Sequence, residues 1–302
     1  RYIDNKGKHR IKTVIQNLIL KEEQKCPICS NSILQIIKRS EEQNTYFCST
    51  CNTVCRDRDY KCKSNYESNY YVDDYKNQYG KTYLEDKDNI NKLNSSRLDV
   101  IDSLINEKRE SKPLLELGCA MGFFLEEAEK RGYSTEGIEL SKYAASFCKH
   151  NSGLDVIHGD FLNLEYKVPK YEVVACWYFI EHVKEFIETI SKARSVLRNG
   201  GIFALSTPNC YGITAKKNIE KYAEIIPDDH FIEFSPNSLK MLLENSGFKV
   251  MKIVSTGIHY SRWLGEKRKS LLLKNKFSEK IYKSIASKKY LGDTFEIYAK
   301  KV

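Results

Sequence analysis

"LLELGCAMGFFLEEAEKRG", Leu114 to Gly132, decides how the rest of this chain reads. An apolar run holding one carboxylate, Glu116, ends in a small-residue turn and passes at once into helical spacing, which is the pattern of strand, tight loop and helix. Similar segments alternate from there onward. Pro113–Leu117, "STEGIEL", "DVIHGD", "YEVVACWY" and "GGIFALSTP" have strand character, whereas Phe123–Arg131, "SKYAASFCKHN" and Val183–Leu197 have helical character. Such alternation predicts the α/β class, with a mostly parallel sheet covered by helices on both faces. In such sheets ligands bind beyond the carboxyl ends of the strands.

The first such position is Gly118-Cys119-Ala120-Met121-Gly122. A dinucleotide fingerprint begun at Gly118 requires Gly at 120 and 123, where the chain has Ala120 and Phe123; a P-loop requires Gly-Lys-Ser/Thr, which does not follow. Glu116 repels a phosphate and suits a cation. Glu139 ends the next strand, where an acidic side chain accepts hydrogen bonds from ribose hydroxyls. Gly159-Asp160-Phe161 follows the third strand and offers a carboxylate for an exocyclic amine and an aromatic face for a base. Together these describe an adenosine with a positively charged tail and no phosphate, and S-adenosylmethionine fits that description.

The segment resembles the glycine-rich motif of class I S-adenosylmethionine-dependent methyltransferases, with Ala120 where Gly is usual. "GIELS", "GDF", "CWYFIEHV", "LRNGGIFALSTPN" and "DHFIEFSPNSLKMLLENSGF" follow in that fold's order, most like the branch of ubiquinone-biosynthesis O-methyltransferases. The resemblance covers residues 112 to 302 and implies a Rossmann-like seven-stranded sheet, with "FKVMKIVSTG" and the antiparallel "GDTFEIYAKKV" closing it. It further implies that Glu116 lies near the methionine end of the cofactor and that Gly118, Cys119 and Gly122 form the loop against it. Glu139 would bind ribose, Asp160 and Phe161 adenine, and Cys176 and Trp177 would line the pocket.

Cys26-Pro-Ile-Cys29 and Cys48-Ser-Thr-Cys51 form C-x2-C-x18-C-x2-C, within the spacing of a zinc ribbon. Two such turns close a four-thiolate shell with no open position, so the expected Zn2+ is structural. Between the pairs, "ILQIIKRS" and "NTYFCS" predict a small hairpin. Ser30 and Asn52 occupy the positions after each pair, where positive φ is often required; Asn accepts it better than Ser. Cys55 and Cys62 are spare thiols outside the paired spacing.

The chain of 302 residues therefore divides as an N-terminal helical segment (1–24), the ribbon (25–63), a Tyr-rich helical linker or lid (64–111) and the methyltransferase domain (112–302). Tyr66, Tyr70, Tyr75, Tyr79 and Tyr83 recur at helical spacing in the linker, as packing or as a lid over the site. No stretch approaches eighteen uninterrupted apolar residues and no cleavable leader is evident, so the expectation is a soluble cytoplasmic protein. The formal charge of +9 is concentrated in one basic insertion, 258–290, where ten Lys/Arg oppose Glu266 and Glu279.

Methyl transfer to a hydroxyl needs the acceptor's proton removed, and two histidines fall beyond strand ends: His182 in "FIEHV" and His230 in "PDDHFIEFSP". Glu181 and Asp229 are weaker candidates. A zinc module joined to this fold resembles methyltransferases of nucleotide sugars and surface polysaccharides. In that group the C-methyltransferases carry a further C-terminal domain for which no chain remains after Val302, which favours O-methylation. The basic insertion would attract an anionic sugar phosphate, nucleotide sugar or glycan. The rival acceptors are RNA, for which no aromatic-basic motif is seen, and a lipid or quinone approached through Leu271, Leu272 and Leu273 at a membrane surface. The non-enzymatic rival is a cofactor-binding module of an assembly.

Overall fold

A computed structural model describes residues 25–32, 34–40, 43–57, 75–105, 111–166, 169–264 and 276–302. The expected helix within 1–24, Cys62, Tyr66, Tyr70 and Leu271–Leu273 lie outside the described residues.

The chain first builds an antiparallel hairpin, β1 (Gln35–Arg39) with β2 (Asn44–Cys48), and adds β3 (Thr53–Arg56) to the edge of β2. Two helices follow, α1 (Tyr75–Tyr79) and α2 (Lys87–Leu104). β4 (Pro113–Leu117), α3 (Phe123–Lys130), β5 (Ser134–Glu139), α4 (Lys142–Phe147) and β6 (Val156–His158) form the first half of an α/β unit. β7 (Tyr171–Trp177), α5 (Phe186–Val196), β8 (Leu197–Pro208), α6 (Ile213–Lys217) and α7 (Ile219–Ile225) continue it. After them come β9 (Ile232–Glu233), α8 (Pro236–Asn245), β10 (Phe248–Thr256), α9 (Tyr260–Leu264), α10 (Lys276–Lys288) and β11 (Thr294–Lys301).

Seven strands form one sheet in the order β10-β11-β8-β7-β4-β5-β6, parallel except for β11, which runs antiparallel to both β8 and β10. This is the Rossmann-like methyltransferase sheet expected from the sequence. Period-two alternation divides its core between two faces. Leu114, Val173, Ala175, Ile202 and Ala204 pack with Leu98 and Ile101 of α2 and with Phe124, Leu125 and Ala128 of α3. Leu115, Val174, Cys176, Phe203 and Leu205 pack on the other face with Ile190 of α5 and Leu239 and Leu243 of α8. The expected linker from 64 to 111 therefore contains a helix of the sheet's own outer layer.

β4 is flanked by β5 on one side and β7 on the other, so the chain reverses direction across the sheet at β4, the position beyond whose strand ends ligands bind in sheets of this kind. The basic insertion leaves from the same edge. Thr256 pairs with Thr294, and Thr294 with Pro208 at the carboxyl end of β8, which places both ends of the 257–293 connection on the ligand-facing side; residues 265–275 within it lie outside the described residues.

The ribbon is stitched to this domain. β9 adds to β3 as the fourth strand of its sheet, with Val54 opposite Glu233 and Cys55 opposite Ile232. The buried Arg56 guanidinium donates to the carbonyls of Asp228 (3.2 Å) and Pro227 (2.5 Å). Ile37 and Val54 share a core with Tyr222, Ala223 and Ile226 of α7 and its end. Neither β3 nor β9 is foreseeable as a strand locally: β9 spans two residues and exists because β3 offers it an edge. Among the described residues no helix is long and apolar enough to cross a membrane.

Candidate active site

The glycine loop is held open by local chemistry. Gly118 has φ +67°, and a Cβ there would stand 2.6 Å from the Phe179 ring. Gly122 has φ +77° and begins α3. Ala120 also has positive φ, +48°, a conformation costing an alanine roughly 1–2 kcal/mol. Its neighbours pin it: its N–H donates to Glu139 Oε2 (2.8 Å), and the Cys148 thiol donates to its carbonyl (3.3 Å). Glu139 Oε1 accepts the Ser141 N–H at 2.8 Å, so this carboxylate ties the loop to the end of β5.

Glu116 lies beneath that loop, 4% exposed, with Oε2 lacking a hydrogen-bond partner. Burial pushes its carboxyl well above the usual range, opposed by the Arg97 guanidinium. Arg97 is the principal site residue that sequence reasoning missed. α2 sets it against the carboxyl ends of β7 and β8, where it donates to Ser206, pairs with Glu296 at 3.0 Å and stacks over Trp177 with 4.1 Å between guanidinium and ring centre. A cation one helix away from the glycine loop has no motif to announce it.

The remaining expected cofactor residues separate. Trp177 is at the strand end, edge-on to Phe124 at 5.1 Å, on the same face as Arg97. Cys176 is fully buried on the opposite face, as alternation requires of a residue following Ala175. Cys119 turns its thiol under the loop towards Gly137, where an added Cβ would stand 2.7 Å from the sulfur. The Phe161 ring is in the core, with Lys192 Nζ 5.1 Å from its centre, so its face is not turned to the ligand-facing side. Asp160 is exposed and caps the following turn, accepting the Leu162 N–H at 2.9 Å. Tyr83, from the Tyr-rich segment, stacks on Phe123 at 5.3 Å and covers the start of α3.

Beyond the ends of β7 and β8 a second group converges. A short turn, Ile180–His182, presents Glu181 and His182, and the Phe231 N–H donates to the Glu181 carbonyl at 2.8 Å, fixing this turn against the loop carrying His230. The His182 and His230 rings meet edge-to-face at 4.5 Å. Each has a carboxylate on Nδ1: Asp229 Oδ2 at 3.0 Å from His182, and Glu233 Oε1 at 2.5 Å from His230. Glu233 also accepts from the Tyr222 hydroxyl at 2.5 Å. Glu181 is 1% exposed, with the Thr207 hydroxyl beside it but no hydrogen bond of good geometry to either side-chain oxygen; burial raises its carboxyl to about 7 against the lowering influence of His182 and Thr207. The two histidines expected from sequence thus share one cluster, and Glu181, Asp229 and Glu233 complete it.

The four cysteines also converge. Cys26 and Cys51 sulfurs are 3.5 Å apart, as are those of Cys29 and Cys48, and all four lie within 4.8 Å of one another. A zinc ion holding thiolates at ~2.3 Å would space them roughly 3.8 Å apart, which this set fits. Cys26 and Cys51 share one hydrogen bond, which lowers the Cys26 thiol and raises that of Cys51, so Cys26 is the first of the pair to ionise. Ser30 and Asn52 take φ +59° and +55° after each pair, the strained conformation expected there. Cys55 is in β3, outside the cluster.

A family model described as a methyltransferase domain matches residues 90–253. A ubiquinone biosynthesis O-methyltransferase of Coxiella burnetii is 22% identical over 179 residues, covering 56% of this chain and 75% of its own length. A protein of the same description from Nitrosomonas europaea is 31% identical over 126 residues, 40% of this chain and 53% of its own. A crystal structure of a SAM-dependent methyltransferase from Archaeoglobus fulgidus aligns with TM-score 0.51 and 21% identity, covering 72% of this chain and 99% of that one. A chain from the complex of the Haloferax volcanii Trm112 methyltransferase activator with a methyltransferase aligns with TM-score 0.51 and 12% identity, covering 72% and 93%.

Proposed function

Because this chain belongs to the methyltransferase domain family and is a SAM-dependent methyltransferase, we propose that it O-methylates an anionic sugar: a nucleotide sugar, a sugar phosphate or a surface glycan. The observation that carries the acceptor half is the pair of imidazoles, each backed by a carboxylate, meeting at 4.5 Å beyond the strand ends. A carboxylate on Nδ1 fixes the tautomer and leaves Nε2 as the proton acceptor. His230 is the general base in this proposal and His182 its neighbour against the acceptor. The anionic class is supported by the exit of the basic insertion on the ligand-facing edge. The acceptor's O–H proton passes to the imidazole, the oxygen takes the methyl from the sulfonium in line, and S-adenosylhomocysteine leaves. Alignment supplies much of the acceleration.

In the cofactor half, Glu116 faces the cationic methionine end, Gly118 and Gly122 give the loop its approach, and Glu139 receives the ribose. Asp160 would meet adenine, and Trp177 would line the cofactor pocket with Arg97. The four cysteines hold a structural Zn2+. The test of function is mass-spectrometric detection of a methylated product from labelled cofactor and a panel of nucleotide sugars, sugar phosphates and glycans. The names of the relatives favour a second acceptor, a quinone precursor, and the panel includes one. Methylation of the quinone precursor alone would overturn the sugar assignment.

Two outcomes follow for the cofactor. Glu139→Ala is expected to weaken S-adenosylmethionine binding roughly ten- to hundredfold, the ~1.5–3 kcal/mol of hydrogen bonds to a charged group, measured by calorimetry; unchanged affinity would remove Glu139 from the site. Cofactor binding is also expected to release protons. Burial holds the Glu116 carboxyl high in the free protein, so folding stability is fully present below the ordinary carboxylate range and is lost as pH rises through the raised value. A cationic ligand lowers that value, and Glu116 ionises on binding. Calorimetry near neutral pH in buffers of different ionisation enthalpy reads this directly. Binding heats independent of buffer, or equal proton release in Glu116→Gln, would contradict it.

A further inference from the structure

We propose that Glu181, His182 and His230 bind one divalent cation of the borderline first-row class, at a site separate from the four-cysteine cluster. One donor atom from each lies within 4.8 Å of the others. Around an ion at ~2.1 Å such donors stand roughly 3 Å apart, so binding draws the three side chains inward.

The independent observation is Glu181. Glu181 is 1% exposed, with the Thr207 hydroxyl and the His182 ring beside it but no hydrogen bond of good geometry to either oxygen, and a cation would supply this desolvated carboxylate with an opposite charge. Around it, both imidazoles already show the outer contacts of metal ligands. Asp229 and Glu233 occupy the two Nδ1 atoms, which orients each ring and makes Nε2 the ligating nitrogen. The backbone is fixed as well, by the Phe231 N–H on the Glu181 carbonyl. Two imidazoles and one carboxylate select Mn2+, Fe2+, Co2+ or Zn2+ over Mg2+ and Ca2+, which take oxygen shells. The soft four-thiolate cluster prefers zinc, so the two sites differ in the ions they retain.

The binding site stands on its own geometry, while its part in the reaction rests on the proposed function and changes one step of it. An ion on the Nε2 atoms takes the place of the imidazole base, because the same lone pairs cannot also accept the acceptor's proton; a hydroxyl beside the ion then ionises more readily and loses its proton to solvent.

The test is a titration of the full chain, given one equivalent of Zn2+ for the thiolates and dialysed, with Mn2+ followed by electron paramagnetic resonance. One saturable Mn2+ per chain is expected, weakened at least tenfold in Glu181→Gln and in His182→Ala. Pulsed measurements on the wild type should show coupling to imidazole nitrogen, which needs no variant to fold. Absence of saturable Mn2+ and of Co2+ uptake, or uptake without nitrogen coupling, overturns the site. Turnover separates the two levels. Full turnover by protein lacking the second cation, lost in His230→Ala, would sink the cation and leave the imidazole base standing. Mn2+ binding with turnover indifferent to both histidines would retain the site and remove it from the reaction.

Discussion

His230→Ala is expected to lower kcat by roughly 10²–10⁴-fold, the range for losing a positioned general acid–base group, while S-adenosylmethionine affinity stays within about twofold. The separation follows from position. His230 sits on the loop before β9, whereas the glycine loop, Glu116 and Glu139 belong to the first half of the sheet. Removing the imidazole leaves Glu233 with the Tyr222 hydroxyl as a partner, so the fold loses one charge-assisted hydrogen bond rather than an entire network. His230→Gln, which can still donate to Glu233, is the control that separates packing from proton transfer. It should restore the melting temperature and not the turnover. Rapid-quench measurement of the methyl-transfer step with the acceptor found in the panel is the readout. Retained turnover in His230→Ala would end the case for this residue as base.

What could be read from the sequence divides by the range of the interaction. The strand before Gly118 and the helix after Gly122 are local, written in apolar period and turn chemistry, and the sheet forms as those patterns require. The paired cysteines were legible for the same reason, since each knuckle is a turn of a few residues with positive φ at Ser30 and Asn52. Face assignments were partly legible: alternation along β7 puts Cys176 opposite Ala175 and Trp177, which separates two residues that share a motif. Long-range partners were not legible. Arg97 reaches Glu296 across almost two hundred positions, and β9 owes its existence to the edge of β3. The convergence of Glu181, Asp229 and Glu233 on two histidines depends on how two loops after different strands are tied together, and no periodicity carries that information.

The tie between ribbon and domain leads to the prediction with the largest energetic scale. Structural zinc in a module of this kind supplies on the order of 10–16 kcal/mol, so Cys48→Ser is expected to unfold the ribbon. The consequence should be selective. β3 would withdraw from β9, Arg56 would leave the carbonyls of Pro227 and Asp228, and Ile37 and Val54 would leave Ile226 exposed. Every one of those contacts is made to the segment from 226 to 233, which carries Asp229, His230 and Glu233. The glycine loop, by contrast, is held by Glu139, Cys148 and Tyr83, none of which belongs to the ribbon. Cys48→Ser should therefore lose acceptor methylation almost completely while still binding S-adenosylmethionine, with hydrogen exchange accelerated across 226–233 and little changed across 114–139. Arg56→Ala, with the cysteines intact, should reproduce the exchange pattern in part and reduce kcat/KM for the acceptor more than cofactor affinity. Equal loss of cofactor and acceptor functions in Cys48→Ser would show that the ribbon stabilises the chain as a whole; unchanged exchange across 226–233 would show that it does not position the acceptor loop.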